Sequence, residues 1–318
     1  MKAIIYNRFG PPEVLQIKNV KKPVPKTNEV IVRNYATTVA AEDPGFRKNP
    51  GFNGLIKPRK KILGLYFSGE VESVGKDVKL FKPGDKVYGS TGLQMGTNAQ
   101  YFCIQEEAAI ELKSENLTYD EAAAIPNGAL TALPFLRDNA RIKPGQKILI
   151  NGASGTVGLS AVQLAKYFGA EVTGVCSSPN LELVKSFGAI DVIDYTKHDF
   201  TKSNKTWDII FDAVGKSSFS KCKNVLTENG VYLTTFPTAG ILFQKVFGLD
   251  KGQRADFAAT GLRNKRKQKT DLKTIKSIVE EGKLKPAIDR KYTMEEIAEA
   301  HKYVATGHKK GDVVINID

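Results

Sequence analysis

The chain has 318 residues, 41% hydrophobic and 25% charged, and a net charge of +13 at neutral pH. That is enough for two globular domains with separate cores, while no apolar run approaches the roughly 20 residues that span a bilayer. The stretch Met1-Lys2-Ala3-Ile4-Ile5-Tyr6 reads as a first strand, without the long apolar core of a signal peptide, so the expected location is cytoplasmic. Cys103, Cys176 and Cys222 are scattered, which argues against a four-cysteine zinc lobe or a disulfide framework; all three read as small buried hydrophobes. Part of the charge lies in two basic clusters, Lys57 to Lys61 and Arg263 to Lys269. Such runs hold phosphates by counterion release, but no aromatic residues interleave them as a stacking platform requires. A solvated basic face is the first reading, with nucleic acid or an anionic membrane surface as the alternative partner.

Residues 1 to about 122 read as short strands with turn punctuation. Lys2 to Tyr6, Glu29 to Thr38, Phe67 to Val74, Lys86 to Gly89 and Ala99 to Gln105 are rich in β-branched and aromatic residues, broken by Gly10-Pro11-Pro12, Pro23 to Pro25, Gly75 and Pro83-Gly84-Asp85. The connector from Ala40 to Lys61 is long and carries Glu42, Asp43, Phe46 and Arg47, and loops of that length are often functional. From Ala122 the rhythm changes. Glu121 to Ile125 and Ala129 to Arg137 have helical spacing, and strands and helices then alternate: strand 147–150, helix 157–168, strand 171–176, helix 180–187, strands 191–194 and 208–213, helix 217–226, strand 230–236. That is the rhythm of a doubly wound parallel sheet. Ala239 to Gly248 is apolar with one lysine and reads as a cap or a subunit contact before a membrane-surface helix. The tail carries helices at Asp271 to Glu281 and Met294 to Thr306, then a strand at Asp312 to Ile317.

Between strand 147–150 and helix 157–168 lies Asn151-Gly152-Ala153-Ser154-Gly155-Thr156-Val157-Gly158, in which Ala153, Gly155 and Gly158 have the spacing of G-x-G-x-x-G with alanine first. A strand-to-helix turn without bulky side chains lets the backbone approach a pyrophosphate, whose charge is held by the free N–H groups and dipole of the first helical turn. A bare match is equally a turn kept small for packing. About 20 residues beyond the glycines, where an acid would read a ribose, stand Ser177 and Ser178.

Together these pieces resemble the medium-chain dehydrogenase/reductase superfamily, and within it the zinc-free quinone oxidoreductase-like branch. The carriers are Gly64 to Val74, Gly75 with Phe81 to Gly89, Asn127 to Ala132, the glycine turn, Leu183 to Ala189, Val192 to Tyr195, Phe211 to Gly215 and Gly307 to Gly311. The resemblance covers essentially the whole chain. It implies an α/β protein in which a Rossmann doubly wound parallel sheet, residues 123–265, is inserted in a GroES-like, β-rich catalytic domain made of 1–122 and completed by 266–318, with the active site in the cleft. It further implies a homodimer.

Zinc-dependent members carry a histidine after the Gly64 glycine and a metal cysteine where this chain has Asn127. Leu65 and Asn127 are a hydrocarbon and an amide, poor zinc ligands, so no zinc is expected. Without a metal, hydrogen bonds must stabilise charge on the hydride acceptor, which suits quinones and α,β-unsaturated carbonyls. The candidate catalytic residues are Asp43, Tyr66 and Asn127. Tyr66 is either a proton or hydrogen-bond donor or a core aromatic, and Asp43 is either catalytic or a hinge acid bonded to backbone. The family commonly has an asparagine at Ala40 and an acid at Tyr66, two departures in this chain. The residues expected to hold the cofactor are Thr131, Ser154, Gly155, Thr156, Val157, Gly158, Ser177, Ser178, Asn180, Tyr195 and Val214. Ser177-Ser178 removes the acid that would repel a 2′-phosphate, so NADPH is expected over NADH, although Pro179-Asn180 occupies positions where relatives carry a cation. The expected activity is NADPH-dependent reduction of quinones or enones. The alternatives are a zinc-free carbonyl or alcohol dehydrogenase, and a non-catalytic NADPH-binding protein with a basic face for membrane or RNA.

Overall fold

A computed structural model of the chain describes residues 1–236, 252–258 and 260–317. The apolar stretch Ala239 to Gly248 lies outside the described residues. In chain order the elements are β1 (Lys2–Ile5), β2 (Gln16–Asn19), β3 (Glu29–Thr38), α1 (Asp43–Lys48), β4 (Tyr66–Val74), β5 (Lys86–Ser90), β6 (Tyr101–Gln105), β7 (Ala109–Leu112) and α2 (Tyr119–Pro134). There follow β8 (Lys147–Asn151), α3 (Thr156–Tyr167), β9 (Glu171–Cys176), α4 (Leu181–Ser186), β10 (Asp191–Asp194), β11 (Trp207–Asp212), α5 (Phe219–Cys222), β12 (Leu226–Thr234) and β13 (Arg254–Phe257). The tail forms α6 (Lys265–Glu280), β14 (Ile288–Thr293), α7 (Ile297–Ala305) and β15 (Asp312–Asn316). Two compact units result, Met1–Asn127 with Gly261–Asp318, and Gly128–Thr260.

The first unit is built on β3, whose Val30, Val32 and Ala36 are fully buried. It pairs antiparallel with β4 on one side, and with β6 and β15 along the other, at successive stretches of its length. Thr37 lies opposite Ile315, and β14 runs parallel to β15, so the last strands of the chain complete the first sheet. One core joins Ile4, Tyr6 and Leu63 to Met294, Ile297 and Val304 of the tail and to Val313 and Ile315 of β15. A second gathers Val30, Val32, Phe67, Val87, Phe102 and Ile110.

The second unit is a parallel sheet of order β10-β9-β8-β11-β12-β13 among the described residues. Counted from β8 this is 3-2-1-4-5-6, the Rossmann order, with its switch point between β8 and β11. Ile148, Leu149 and Ile150 of β8 and Ile209, Ile210 and Phe211 of β11 are essentially inaccessible, as strands covered on both faces require.

The structure redraws several boundaries. The connector 40–61 holds a short helix, α1. The two helical stretches around Pro126 are one helix, α2, started by a Thr118–Glu121 capping box in which Thr118 N donates to the carboxylate at 2.8 Å. α6 begins at Lys265, six residues ahead of Asp271, because Asn264 caps Arg266 N at 2.9 Å, a signal hidden by the surrounding cations. The helix read at 217–226 shrinks to α5 and a single turn through Val225. Four strands, β2, β7, β13 and β14, add edges or flanks; β2 and β14 are polar and mostly exposed, so they lack a buried alternation to announce them.

Candidate functional site

In the Rossmann unit the glycine turn is shaped by three different demands. Gly152 has φ +81°, and a Cβ there would run into Val214; Gly158 lies so close to the Gly152 carbonyl and Ala153 that any side chain would overlap backbone. Gly155 differs: its φ of −81° suits any residue, and a Cβ would meet nothing nearer than the Gly152 oxygen at 3.5 Å. Packing does not require glycine at 155. What its absent side chain keeps open is the space ahead of α3, which Gly155 caps, with Ser154 just before the cap and Thr156 and Val157 in the first turn. That cradle fits a dinucleotide's pyrophosphate. Gly128 of α2 lies against Ser160 and Thr156 of α3, so Thr131, three residues on, shares the α2 face turned to the start of α3.

The carboxyl ends of β8 and β11 are tied across the switch point. Asn151 Nδ2 donates to Asp212 Oδ1 at 2.9 Å, and Asp212, fully buried, also accepts from Val214 N at 3.3 Å, Lys216 N at 3.3 Å, Ser217 N at 2.7 Å and the Tyr232 hydroxyl at 3.0 Å. One carboxylate therefore sets the loop that carries Val214. Neither Asn151 nor Asp212 stands out in sequence as a site residue; each is the last residue of its strand, and only strand order makes them neighbours.

At the end of β9, Asn180 is nine-tenths buried and its Nδ2 donates to Ser154 Oγ at 3.3 Å and Ser177 Oγ at 3.2 Å, joining the phosphate turn to the expected ribose site. Its Oδ1 is buried without a hydrogen-bond partner among the described residues. Ser178 behaves differently: its hydroxyl donates to Asp194 Oδ2. Thr196 donates to the same carboxylate from N at 3.0 Å and Oγ1 at 2.7 Å, and Lys197 lies 3.8 Å away. These bonds, the Ser178 hydroxyl first, pull Asp194 down to about 2, so it is ionised. Tyr195 is exposed beside it. Asp194, the last residue of the neighbouring strand β10, stands beside Tyr195 at this end of the site.

In the first unit, Asp43 opens α1 and is 1% exposed. Ala40 N donates to its Oδ2 at 2.8 Å, and Asp43 N donates back to the Ala40 carbonyl at 3.2 Å, which closes a turn. Burial, reinforced by the Glu42 carboxylate, pushes its acid up to about 8, so it carries a proton at neutral pH. Tyr66 begins β4 and is partly exposed. Burial first, then the carboxyls of Glu42, Asp312 and Asp43, hold its phenol well above the ordinary range. It is a neutral O–H donor, and its hydroxyl makes no hydrogen bond among the described residues. Asn127 is buried and its Nδ2 donates to Asp312 Oδ1 at 2.6 Å. The charges of Glu42 and Asp312 thus act on Tyr66, Glu42 also acts on Asp43, and Asp312 is the acid that Asn127 holds.

A cavity of about 420 Å³ is lined by Lys147, Glu171, Asp191 and Trp207. These are the first residues of β8, β9, β10 and β11, so it lies at the amino ends of the strands, opposite to where such sheets bind ligands.

Residues 26–114 match the family model described as an alcohol dehydrogenase GroES-like domain, and residues 187–315 that of a zinc-binding dehydrogenase. The 2-methylene-furan-3-one reductase of Solanum lycopersicum is 34% identical over 331 residues, covering 99% of this chain and 79% of its own. The chain belongs to the medium-chain dehydrogenase/reductase superfamily, in its quinone oxidoreductase-like branch. Among solved members, the quinone oxidoreductase from Coxiella burnetii matches with a TM-score of 0.87 at 30% identity, over 100% of this chain and 99% of that one. Escherichia coli quinone oxidoreductase complexed with NADPH matches with a TM-score of 0.84 at 25% identity, over 99% and 100%. The superfamily contains zinc enzymes, but this chain offers poor donors for that metal. Leu65 is packed among Leu63 and Met95, the Asn127 amide faces Asp312, and among the described residues no three His, Cys, Asp or Glu side chains are grouped as a metal shell. This donor set does not fit zinc.

Proposed function

We propose that this member of the superfamily transfers hydride from NADPH to quinones or α,β-unsaturated carbonyls without using zinc. The observation that carries the reading is the cradle at Gly155, an ordinary backbone position kept free of a side chain where the α3 amino terminus and the β8–β11 switch point converge. Ser154, Thr156, Val157 and Gly158 would hold the pyrophosphate; Ser177, Asn180 and Tyr195 the adenosine ribose end; Thr131 and Val214 the remainder. The cofactor supplies the hydride. The chain's own residues bind and orient it, and Tyr66 supplies a neutral O–H to charge developing on the acceptor oxygen. Asp43 and Asn127 serve as supports: one closes the Ala40 turn and the other holds Asp312.

NADPH is proposed over NADH because no acid ends β9. The Ser178 hydroxyl is engaged by Asp194, the Asn180 amide nitrogen by Ser154 and Ser177, and Lys197 lies 3.8 Å from Asp194, which leaves the Ser177 hydroxyl and Tyr195, with Lys197 turned from Asp194, to meet a 2′-phosphate. We also propose a homodimer, on the family resemblance; light scattering tests it. Among the described residues no helix is long and apolar enough to cross a membrane.

The deciding experiment follows NADPH oxidation against a panel of quinones, enones and simple ketones, with secondary alcohols and NADP⁺ as the reverse arm. Turnover confined to quinones and enones is expected. Efficient oxidation of a simple alcohol would move the chain to the zinc-free alcohol dehydrogenase reading, and cofactor binding without any turnover would overturn the enzymatic one.

A further inference from the structure

The connector between α1 and β4 contains a turn whose shape is over-determined. Gly51 and Gly54 exchange backbone hydrogen bonds of 2.7 and 3.0 Å. Gly54 has φ +122°, where a Cβ would collide with the Lys57 carbonyl. Asn53, 4% exposed, pins the turn to the fold: its Nδ2 donates to the Tyr6 hydroxyl at 2.5 Å and the Lys60 carbonyl at 2.9 Å, while its Oδ1 accepts from Lys60 N at 2.9 Å. Arg59 N donates to the Asn53 carbonyl at 2.7 Å.

This rigid turn holds its largest apolar side chains outside. Phe52 is 61% exposed, Leu55 77% and Ile56 93%. Isolated exposed hydrophobes are ordinary, but a cluster presented by a built turn marks a contact surface. Directly after it come Lys57, Arg59, Lys60 and Lys61, all exposed, and none has an ion-pair partner among the described residues. In the other basic cluster three of the five cations are engaged within their own unit, Lys265 donating to Gln105 at 2.8 Å, Lys269 to the Glu106 carbonyl at 2.6 Å, and Arg263 pairing with Asp271 at 3.2 Å, and among the described residues no exposed apolar cluster adjoins the other two, Arg266 and Lys267.

We propose that the turn at 51–61 is a docking surface for an anionic lipid bilayer. Phe52, Leu55 and Ile56 would enter the boundary between headgroups and acyl chains, and the four cations would lie among the lipid phosphates. Nucleic acid would satisfy the cations but offers nothing to two aliphatic side chains, which is why the bilayer is favoured. The inference does not rest on the proposed reaction, since binding is read without turnover.

The test is sedimentation of the full chain with vesicles of phosphatidylcholine alone and with about one-third phosphatidylserine. Binding only to the anionic vesicles, weakened by added salt, is expected. The double variants K60E/K61E and L55S/I56S should each lower the partition coefficient at least about tenfold, the first by removing two cations from the anionic surface and the second by removing two aliphatic groups from the acyl boundary. Should a double variant fail to fold, I56S alone serves, because that side chain is almost wholly exposed. A Leu55→Trp variant reads insertion directly by a blue shift in emission, against the constant background of Trp207, which is 2% exposed. Equal binding to both vesicle types, no binding, unchanged binding by the double variants, or an unshifted emission spectrum of the Leu55→Trp variant alongside tight binding to single-stranded RNA would each overturn the proposal.

Discussion

Replacing Gly155 and replacing Gly158 should separate ligand from fold. Gly155→Ala adds a Cβ that meets only the Gly152 oxygen, at an ordinary 3.5 Å, so the melting temperature should hardly move while NADPH affinity falls by about tenfold or more, a loss of roughly 1.4 kcal/mol or above. Gly158→Ala drives a methyl into backbone and should destabilise by about 1–3 kcal/mol; calorimetry and cofactor titration distinguish the two. For Tyr66→Phe, a drop in kcat of about a hundredfold with KM and melting temperature little changed is expected of a lost charge-stabilising donor, and unchanged kcat would make Tyr66 a packing residue. Two buried titratable groups set a pH dependence. His301 is inaccessible, both ring nitrogens lack partners among the described residues, and burial followed by the Arg47 charge pushes it down to about 3. Its folded form resists a proton that the unfolded chain accepts near 6.5, so its contribution is full above that pH and is lost as pH falls toward 3. Asp43, held up at about 8, acts oppositely: its contribution is full below about 4 and is lost as pH rises to 8. The two slopes cancel between about 4 and 6.5, and stability should decline from there to pH 8. His301→Leu should unmask the Asp43 slope, its advantage over wild type being about 2 kcal/mol greater at pH 5 than at pH 7; parallel urea titrations check this.

At the scale of elements, the loop after β11 hangs on one carboxylate. Asp212→Ala would leave the donors of Asn151, Val214, Lys216, Ser217 and Tyr232 without their acceptor, at a cost on the order of 3 kcal/mol, and would weaken NADPH binding by loosening Val214 against Gly152. Asp212→Asn keeps one acceptor oxygen and should lose less; urea midpoints for the pair measure the difference. Strands such as β8 and β9 were legible because their middles, Ile148 to Ile150 and Val172 to Cys176, are β-prone and buried, as a parallel sheet covered on both faces demands. The start of α6 was not, since its cap sits inside a basic run. The polar β14 was equally hidden, because it is recognisable only once β15 lies beside it.

For the whole molecule, cofactor choice tests the serines at the end of β9. The ratio of kcat/KM for NADPH over NADH should exceed about tenfold, that is about 1.4 kcal/mol, and equal efficiency would assign Asp194 the decisive influence. Dialysis against a chelator should leave activity and metal content unchanged from a zinc-free preparation; stoichiometric zinc retained with activity would contradict the donor reading at Leu65 and Asn127.

The amino-acid sequence by itself carried the βαβ rhythm, the glycine turn and the poor zinc ligands at Leu65 and Asn127, because each is a local matter of periodicity, side-chain volume or ligand chemistry. It also allowed the basic clusters to be seen, but not told apart. Tertiary structure decided the rest. Whether a lysine is paired, as Lys265 is, or free, as Lys60 is, depends on residues far away in the chain. Strand order alone brought Asn151 to Asp212 and Ser178 to Asp194, and burial first, with a neighbouring charge behind it, made His301 a neutral base and Asp43 a neutral acid. Those are properties of surroundings, and surroundings are assembled only when the chain folds.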